Sequence, residues 1–188
     1  MADQKDNSSR KSEFIEVAEK LFQENGIVDT TVNSIVKELD VAKGLFYYYF
    51  DSKDDVIAAI SEKYNEVFNQ MMMDQLDNMD YSTKLHRFVK NTVYSFRELN
   101  KKLQGSNDDV DLTQLAVISK EEAKEKAIQT LQELFEEGNE KNELSLDYTK
   151  YYADILVGGI LELIEQNEAT NKEIEFIILD LIERAGKD

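Results

Sequence analysis

Residues 30–53 read Thr-Thr-Val-Asn-Ser-Ile-Val-Lys-Glu-Leu-Asp-Val-Ala-Lys-Gly-Leu-Phe-Tyr-Tyr-Tyr-Phe-Asp-Ser-Lys. The pattern predicts two short helices joined by a tight turn. Thr31 can cap the first helix, and Val32, Ile35, Val36 and Leu39 recur at the spacing of a buried helical face. Asp40-Val41-Ala42 makes the turn. The second helix runs from about Lys43 to Phe50, with Phe46 and Phe50 one turn apart and facing inward. It also carries Lys43, Gly44 and three consecutive tyrosines, Tyr47 to Tyr49. A cation and phenol-tipped aromatics on a short helix suit phosphate and base contacts. The competing reading is a half-buried aromatic cluster. Tyr49 taken singly fits packing better than base contact.

The flanking sequence is helical on both sides. Upstream, Phe14, Val17, Ala18, Leu21 and Phe22 form one apolar stripe that Asn25-Gly26 should end. Residues 1–8 read as a disordered lead. Ser52-Lys-Asp-Asp55 resembles a capping box with Asp in the usual place of Glu or Gln. A long helix is expected from about Lys53 to Met79 and another over Ser82–Gln104. Gly105–Asp109 is the clearest loop. Leu112, Leu115 and Ile118 suggest a short helix, followed by a separate one over Glu121–Glu137 that Gly138 should stop. Two final helices are expected at about Asp147–Gln166 and Asn171–Ala185. The expected fold is all-α with about nine helices.

Composition sets limits. The 188 residues contain no cysteine, no proline and one histidine, His86. No disulfide framework, thiolate chemistry or multi-histidine metal site is expected, and no nucleophile–base pair argues for an enzyme. We therefore expect no catalytic residues, no metal and no cofactor. The formal net charge is −17. Residues 1–60 hold 7 Lys and Arg against 12 Asp and Glu. The basic footprint usual in nucleic-acid binders is missing, so any DNA contact must come from a local cluster. No signal peptide is expected, because the first residues lack an apolar stretch. Ile155–Leu161 is too short an apolar run to span a bilayer. A cytoplasmic protein with no membrane partner is expected.

The pattern of residues 10–53 resembles the DNA-binding domain of the TetR family of one-component repressors. The resemblance rests on Leu21-Phe22, Gly26, Thr30-Thr31-Val32, Ile35, Lys43-Gly44, Phe46 to Phe50, and Ser52-Lys53. It implies a helix-turn-helix domain over residues 9–52 and a ligand-binding and dimerisation domain over 53–188. It also implies DNA contacts. Thr31 would meet a phosphate. Ala42, Lys43, Gly44 and Leu45 would open the recognition helix, where Gly44 lets the backbone come close. Tyr47 and Tyr48 would reach phosphates or base edges. Lys53 would clamp a phosphate, helped by its backbone amide at a helix start. Three positions depart from the family pattern: Asp40 stands for the usual Gly, Ala42 for Ser and Tyr49 for His. With the acidic composition, they leave base specificity open.

The resemblance also implies a pocket among the C-terminal helices. Candidate walls are Tyr64, Phe68, Met71, Phe88, Phe96, Phe135 and Tyr152, although such residues at helical spacing also suit plain core. Asp154 and His86 read as solvated positions. The last two helices are apolar on more than one side, and Gly158-Gly159 sits inside one of them. Gly158, Gly159, Ile174, Ile177, Ile178 and Leu181 are therefore candidates for a homodimer interface. The expected protein is a homodimeric repressor that binds a double-stranded DNA operator and releases it on binding a small-molecule effector. A helical protein-interaction or assembly module that keeps the head without operator binding is the alternative.

Overall fold

The computed structural model describes residues 2–107 and 109–186, with side chains from Ser9 onward. Among the described residues there are eight helices and no strand. They are α1 (Ala2–Asn25), α2 (Val32–Glu38), α3 (Lys43–Tyr49), α4 (Lys53–Met72), α5 (Tyr81–Lys102), α6 (Thr113–Glu140), α7 (Thr149–Gln166) and α8 (Asn171–Ala185). The chain divides into two compact units. One comprises residues up to Tyr64 together with Lys101–Ser119; the other comprises Asn65–Asn100 and the residues from Lys120 on.

The first unit is organised around Phe14. Its ring centroid lies 5.9 Å from that of Phe46, 6.3 Å from Phe50 and 5.8 Å from Tyr49. Ala18 and Phe22 continue the α1 stripe, and both are fully buried, as are Ile35, Val56, Ile57 and Ile60. The backbone of residues 2–8 is part of α1 rather than a disordered lead. No Gly or Pro interrupts that stretch, so nothing local breaks its hydrogen bonds. Gly26 ends the helical path with φ +84°, a left-handed value that costs a residue without a Cβ least. Its Cα also faces the Asp111 backbone at close range, and the Ile27 N–H donates to the Asp111 carbonyl at 3.0 Å. Segment 101–119 is thereby tied into the head. The Ser106 N–H donates to the Gln23 carbonyl at 2.9 Å, and the Gln114 amide donates to Asp54 at 3.1 Å.

In the second unit, Phe68, Phe88, Val93, Phe96, Phe135, Val157, Ile160 and Ile174 are all buried. Three helix limits differ from the expectations. First, α4 stops at Met72, seven residues short of Met79. Gln75 takes φ +54°, and Asn91 from α5 donates to the carbonyls of Met72 (3.2 Å) and Asp74 (2.9 Å). A side chain from another helix thus satisfies carbonyls that a helix end leaves open. Asp80 then caps α5 by accepting from the Thr83 N–H at 3.0 Å.

Second, the two helices expected around 112–137 are one, α6, because nothing between Ile118 and Glu121 breaks a helix. This accounts for eight helices where about nine were expected. Third, α6 passes through Gly138 and ends two residues later. Asn142 (φ +56°) is the left-handed residue, with Glu143 N–H to Gly138 O (2.9 Å) and Asn142 N–H to Asn139 O (3.2 Å) completing a Schellman motif. Gly138 instead makes room for a neighbour, since Tyr81 occupies the space that a Cβ would need.

The α7–α8 turn is held from outside. Arg97 of α5 donates to Asn171 Oδ1 (3.0 Å), Asn167 Oδ1 (2.9 Å) and the Ala169 carbonyl (2.8 Å). Thr170 and Glu173 form a reciprocal capping box that opens α8.

Candidate nucleic-acid interface

The interface is built on α2 and α3. Thr31 caps α2 with φ −107°, ψ 160°; its hydroxyl accepts from the Ser34 N–H at 3.1 Å, while Ser34 Oγ accepts from the Thr31 N–H at 2.9 Å. The cap is the one expected, and its partner is serine. Asp40 turns the chain with φ +52°, and the Val41 N–H closes onto the Val36 carbonyl at 3.0 Å. Asp tolerates the left-handed region better than most side chains, so it can stand where Gly is usual. Ala42 is the N-cap of α3 and makes no side-chain cap bond.

Packing then sorts the α3 residues by direction. Phe46 is fully buried and Phe50 nearly so, both against Phe14. With those two turned inward, the helical period places Lys43, Gly44, Tyr47 and Tyr48 outward. Tyr47 is 49% exposed and Tyr48 68%. Lys43 and Gly44 are exposed, and a Cβ on Gly44 would meet nothing within 4 Å among the described residues. Leu45 is only half-exposed, and Tyr49 is half-buried with its ring against Phe14. Lys43 Nζ lies 5.8 Å from the Tyr47 ring centroid, a cation–π distance across one turn.

Lys53 sits differently from the clamp expected of it. Its ammonium donates to the carbonyls of Ile27 (2.6 Å) and Thr30 (3.0 Å) and is partly buried. It ties the α1–α2 loop to the start of α4. The expected Ser52–Asp55 box is present: the Ser52 N–H donates to Asp55 at 3.1 Å and the Asp55 N–H to Ser52 Oγ at 3.2 Å.

Several other cations of this unit are also engaged. Arg10 pairs with Glu13, Lys20 with Glu38 and Lys63 with Glu19, while Lys11 lies over the Phe50 ring. Lys37, which sequence reasoning passed over, is exposed in the last turn of α2. Its outward place in the α2 stripe was the available signal.

Tyr64, a candidate pocket wall, belongs to a network of the first unit. Its hydroxyl donates to Glu19 at 2.9 Å and accepts from Gln23 at 3.3 Å. Burial, and then the Glu19 charge, push the phenol's pKa well above its ordinary value.

In the second unit, Phe68, Phe88, Phe96 and Phe135 are core, with the Phe68 and Phe96 rings tilted against each other at 4.7 Å. Met71 lines an open cleft of about 350 Å³ with Gln70, Asp74, Asn91 and Tyr94. Tyr152 is partly exposed. Of the dimer candidates, Ile174 and Ile178 point into their own unit, whereas Ile177 and Leu181 are exposed. A helix turns about 100° per residue, so one α8 face takes 174, 178 and 182, Ile177 and Leu181 lie along its exposed flank, and Phe176 lies on the opposite side. Tyr151 and Ile155 are exposed on α7, as is Tyr148 just before it, and a Cβ on Gly158 or Gly159 would meet nothing within 4 Å among the described residues. His86 and Asp154 are exposed, as expected. Among the described residues no cluster of His, Cys, Asp or Glu could hold a metal, and no helix is long and apolar enough to cross a membrane.

A capped helix, a left-handed turn and a second helix with an outward Lys-Gly-Tyr-Tyr face define a helix-turn-helix head. Residues 14–60 match the model of bacterial regulatory proteins of the tetR family. The chain is 32% identical over 72 residues to the HTH-type transcriptional regulator HbdR of Aromatoleum sp. (strain CIB), covering 38% of this chain and 31% of that protein. It is 28% identical over 89 residues to IcaR of Staphylococcus aureus, a negative transcriptional regulator of a biofilm operon, covering 47% and 48% of the two chains. The chain thus spans about a third to a half of the length of these relatives.

Among solved structures, the fatty acid degradation regulator FadR of Bacillus halodurans superposes with a TM-score of 0.61 at 23% identity, over 92% of this chain and 93% of that one. A TetR/AcrR-family regulator from Thermobifida fusca gives 0.62 at 20% identity, over 93% and 96%. These likenesses extend the shared fold beyond the head. The head of the chain, residues 14–60, is thus similar to the tetR family, and the likeness of the remainder is one of fold.

Proposed function

We propose that this protein is a DNA-binding transcriptional regulator that works in the cytoplasm as a homodimeric repressor and leaves its operator when a small-molecule effector binds. The observation that carries the reading is the outward face of α3. Lys43, Gly44, Tyr47 and Tyr48 are exposed together on a short helix whose other side is locked by Phe14, Phe46 and Phe50. Residues 9–52 serve as the DNA-binding domain and 53–188 as the ligand-binding and dimerisation domain. Thr31, Ala42 and Leu45 flank the contact, and Lys53 braces it.

Dimerisation is supported by the exposed apolar faces of α7 and α8. Tyr151, Ile155, Phe176, Ile177 and Leu181 cost solvation in a monomer, and Gly158-Gly159 leaves room for a second helix. Two-fold pairing of heads suits half-sites about 34 Å apart or somewhat further. Linking two weak heads raises their combined affinity without new contacts. Effector release is a population shift, and full reversal needs a differential affinity of about 10⁴. Helix α4 contains residues of both units and is the natural lever.

Gel shifts on a selected operator test the assignment. Tyr47→Ala and Lys43→Ala should each weaken binding at least tenfold with unchanged circular dichroism; unaltered affinity in both would refute it. A second reading is an assembly module that keeps the head without operator binding. Ala42, which leaves α3 without a side-chain cap, favours that reading. Random-site selection that enriches no sequence would establish it over the first.

A further inference from the structure

Each base pair shows the major groove its own pattern. Arg or Lys suits guanine, Asn or Gln adenine, a carboxylate cytosine, and an apolar group the thymine methyl. Helix α3 is Lys-Gly-Leu-Phe-Tyr-Tyr-Tyr, with no Arg, Asn, Gln, Asp or Glu. Lys43 is the one side chain of this helix that suits guanine, and none of them suits adenine. Its outward groups are one ammonium, a bare glycine and two phenols, preceded by the exposed methyl of Ala42.

The two phenols differ. The Tyr47 ring stands edge-on to Phe46 at 5.3 Å and carries Lys43 at 5.8 Å, so its orientation is held before any ligand arrives. Tyr48 is the more exposed of the two, which suits a hydroxyl reaching for a phosphate. The cations of Arg10, Lys11, Lys20, Lys53 and Lys63 have partners within the unit, and Lys37 and Lys43 are the exposed cations of α2 and α3.

Resting on the operator-binding reading above, we infer that α3 reads its half-site chiefly through thymine methyl groups. The Ala42 methyl and the Tyr47 ring are the apolar readers, and Lys43 is the single cationic donor. The departure from serine at Ala42 then acquires a purpose: it presents a methyl where a hydroxyl would be hydrated. The ligand class is duplex DNA whose half-sites place thymines opposite these two groups.

Deoxyuridine tests this cleanly, because replacing thymine with it deletes one methyl and leaves base pairing and groove hydrogen bonds intact. The operator is first obtained by random-site selection with the full-length protein, then resynthesised with deoxyuridine at every thymine and at each one singly. We expect the fully substituted site to bind at least tenfold more weakly. One or two positions per half-site should each account for about fourfold, the worth of a buried methyl. Ala42→Gly and Tyr47→Ala should each abolish that sensitivity at one position, a coupling that a general loss of affinity does not produce. A fully substituted site bound within twofold of the original overturns this inference and leaves DNA binding intact. Sensitivity that persists at every position in both variants overturns the assignment of the readers. A selection that enriches nothing overturns the operator reading and this inference with it.

Discussion

The outward face of α3 and the outward faces of α7 and α8 are made differently but share one feature. Each has helical glycines whose missing side chain nothing in the described residues fills: Gly44 in α3, and Gly158 and Gly159 in α7. Elsewhere the chain uses its glycines internally. Val110 occupies the space at Gly105, Tyr81 that at Gly138 and Leu144 that at Gly186. A glycine within a helix costs up to ~1 kcal/mol relative to alanine. Where no neighbour takes the space, nothing inside the described residues offsets that cost, which fits the proposal that both faces meet something from outside. The two faces then differ in chemistry. Around Gly44 stand an ammonium and phenols, groups that satisfy phosphates and bases. Helical spacing puts Tyr151 and Ile155 on the side of Gly158 and Gly159, and α8 exposes Phe176, Ile177 and Leu181, groups that suit another apolar surface.

Five variants test this contrast, in falling order of effect. Phe14→Ala removes the ring against which α3 is set and leaves a cavity; we expect a loss of about 3–5 kcal/mol in urea unfolding, with the α3 face lost as well. Ile155→Glu with Leu181→Glu should leave each subunit folded yet raise the dimer dissociation constant roughly 100-fold, about 3 kcal/mol. Sedimentation would show monomers, and an intact dimer would move the interface elsewhere. Lys53→Met keeps the aliphatic stem and strips the donor from the Ile27 and Thr30 carbonyls, at a cost of about 1–3 kcal/mol. Its melting curve separates this brace from a phosphate clamp, which would lose operator affinity at unchanged stability.

The smallest effect is the most diagnostic. Gly44→Ala and Gly158→Ala should each raise stability by up to ~1 kcal/mol. The first should then weaken operator binding and spare the dimer, while the second should weaken the dimer. Lowered stability in either variant would show that its glycine serves the fold itself.

Much of the head was legible in the sequence because its determinants are local. The Phe14, Ala18 and Phe22 stripe, the inward Phe46 and Phe50, the Thr31 cap and the Ser52–Asp55 box all lie within a helical turn or two of their partners. Such contacts leave a period or a fixed offset in the chain. The unbroken run of α6 could have been read locally too, since no breaker separates its two apolar stretches. The end of α4 could not, because its last carbonyls are taken by Asn91, nineteen residues beyond Met72. Gly138 read as a stop because glycine commonly ends helices, yet what it answers to is the Tyr81 ring.

The candidate contacts divide the same way. That Lys43, Gly44, Tyr47 and Tyr48 share an exposed face follows from helical period once Phe46 and Phe50 are inward. That Lys53 faces carbonyls follows only from where the α1–α2 loop comes to lie, twenty-six residues back in the chain at Ile27. The apolar girth of α8 likewise marked it as doubly partnered without saying which stripe is which. Packing assigned Ile174, Ile178 and Ile182 to the core and left Phe176, Ile177 and Leu181 outward.

By itself, then, the sequence determined the helical class, the helix-turn-helix with its Thr31 cap and its turn at Asp40-Val41-Ala42, and the make-up of the α3 face. These depend on backbone preferences and on periodicity, which act between near neighbours. Only the tertiary structure decided where α4 and α6 end, that segment 101–119 belongs with the head, what Lys53 holds, and which side of α8 is offered outward. Those outcomes depend on hydrogen bonds and volumes supplied by residues distant in sequence, and no local pattern records them.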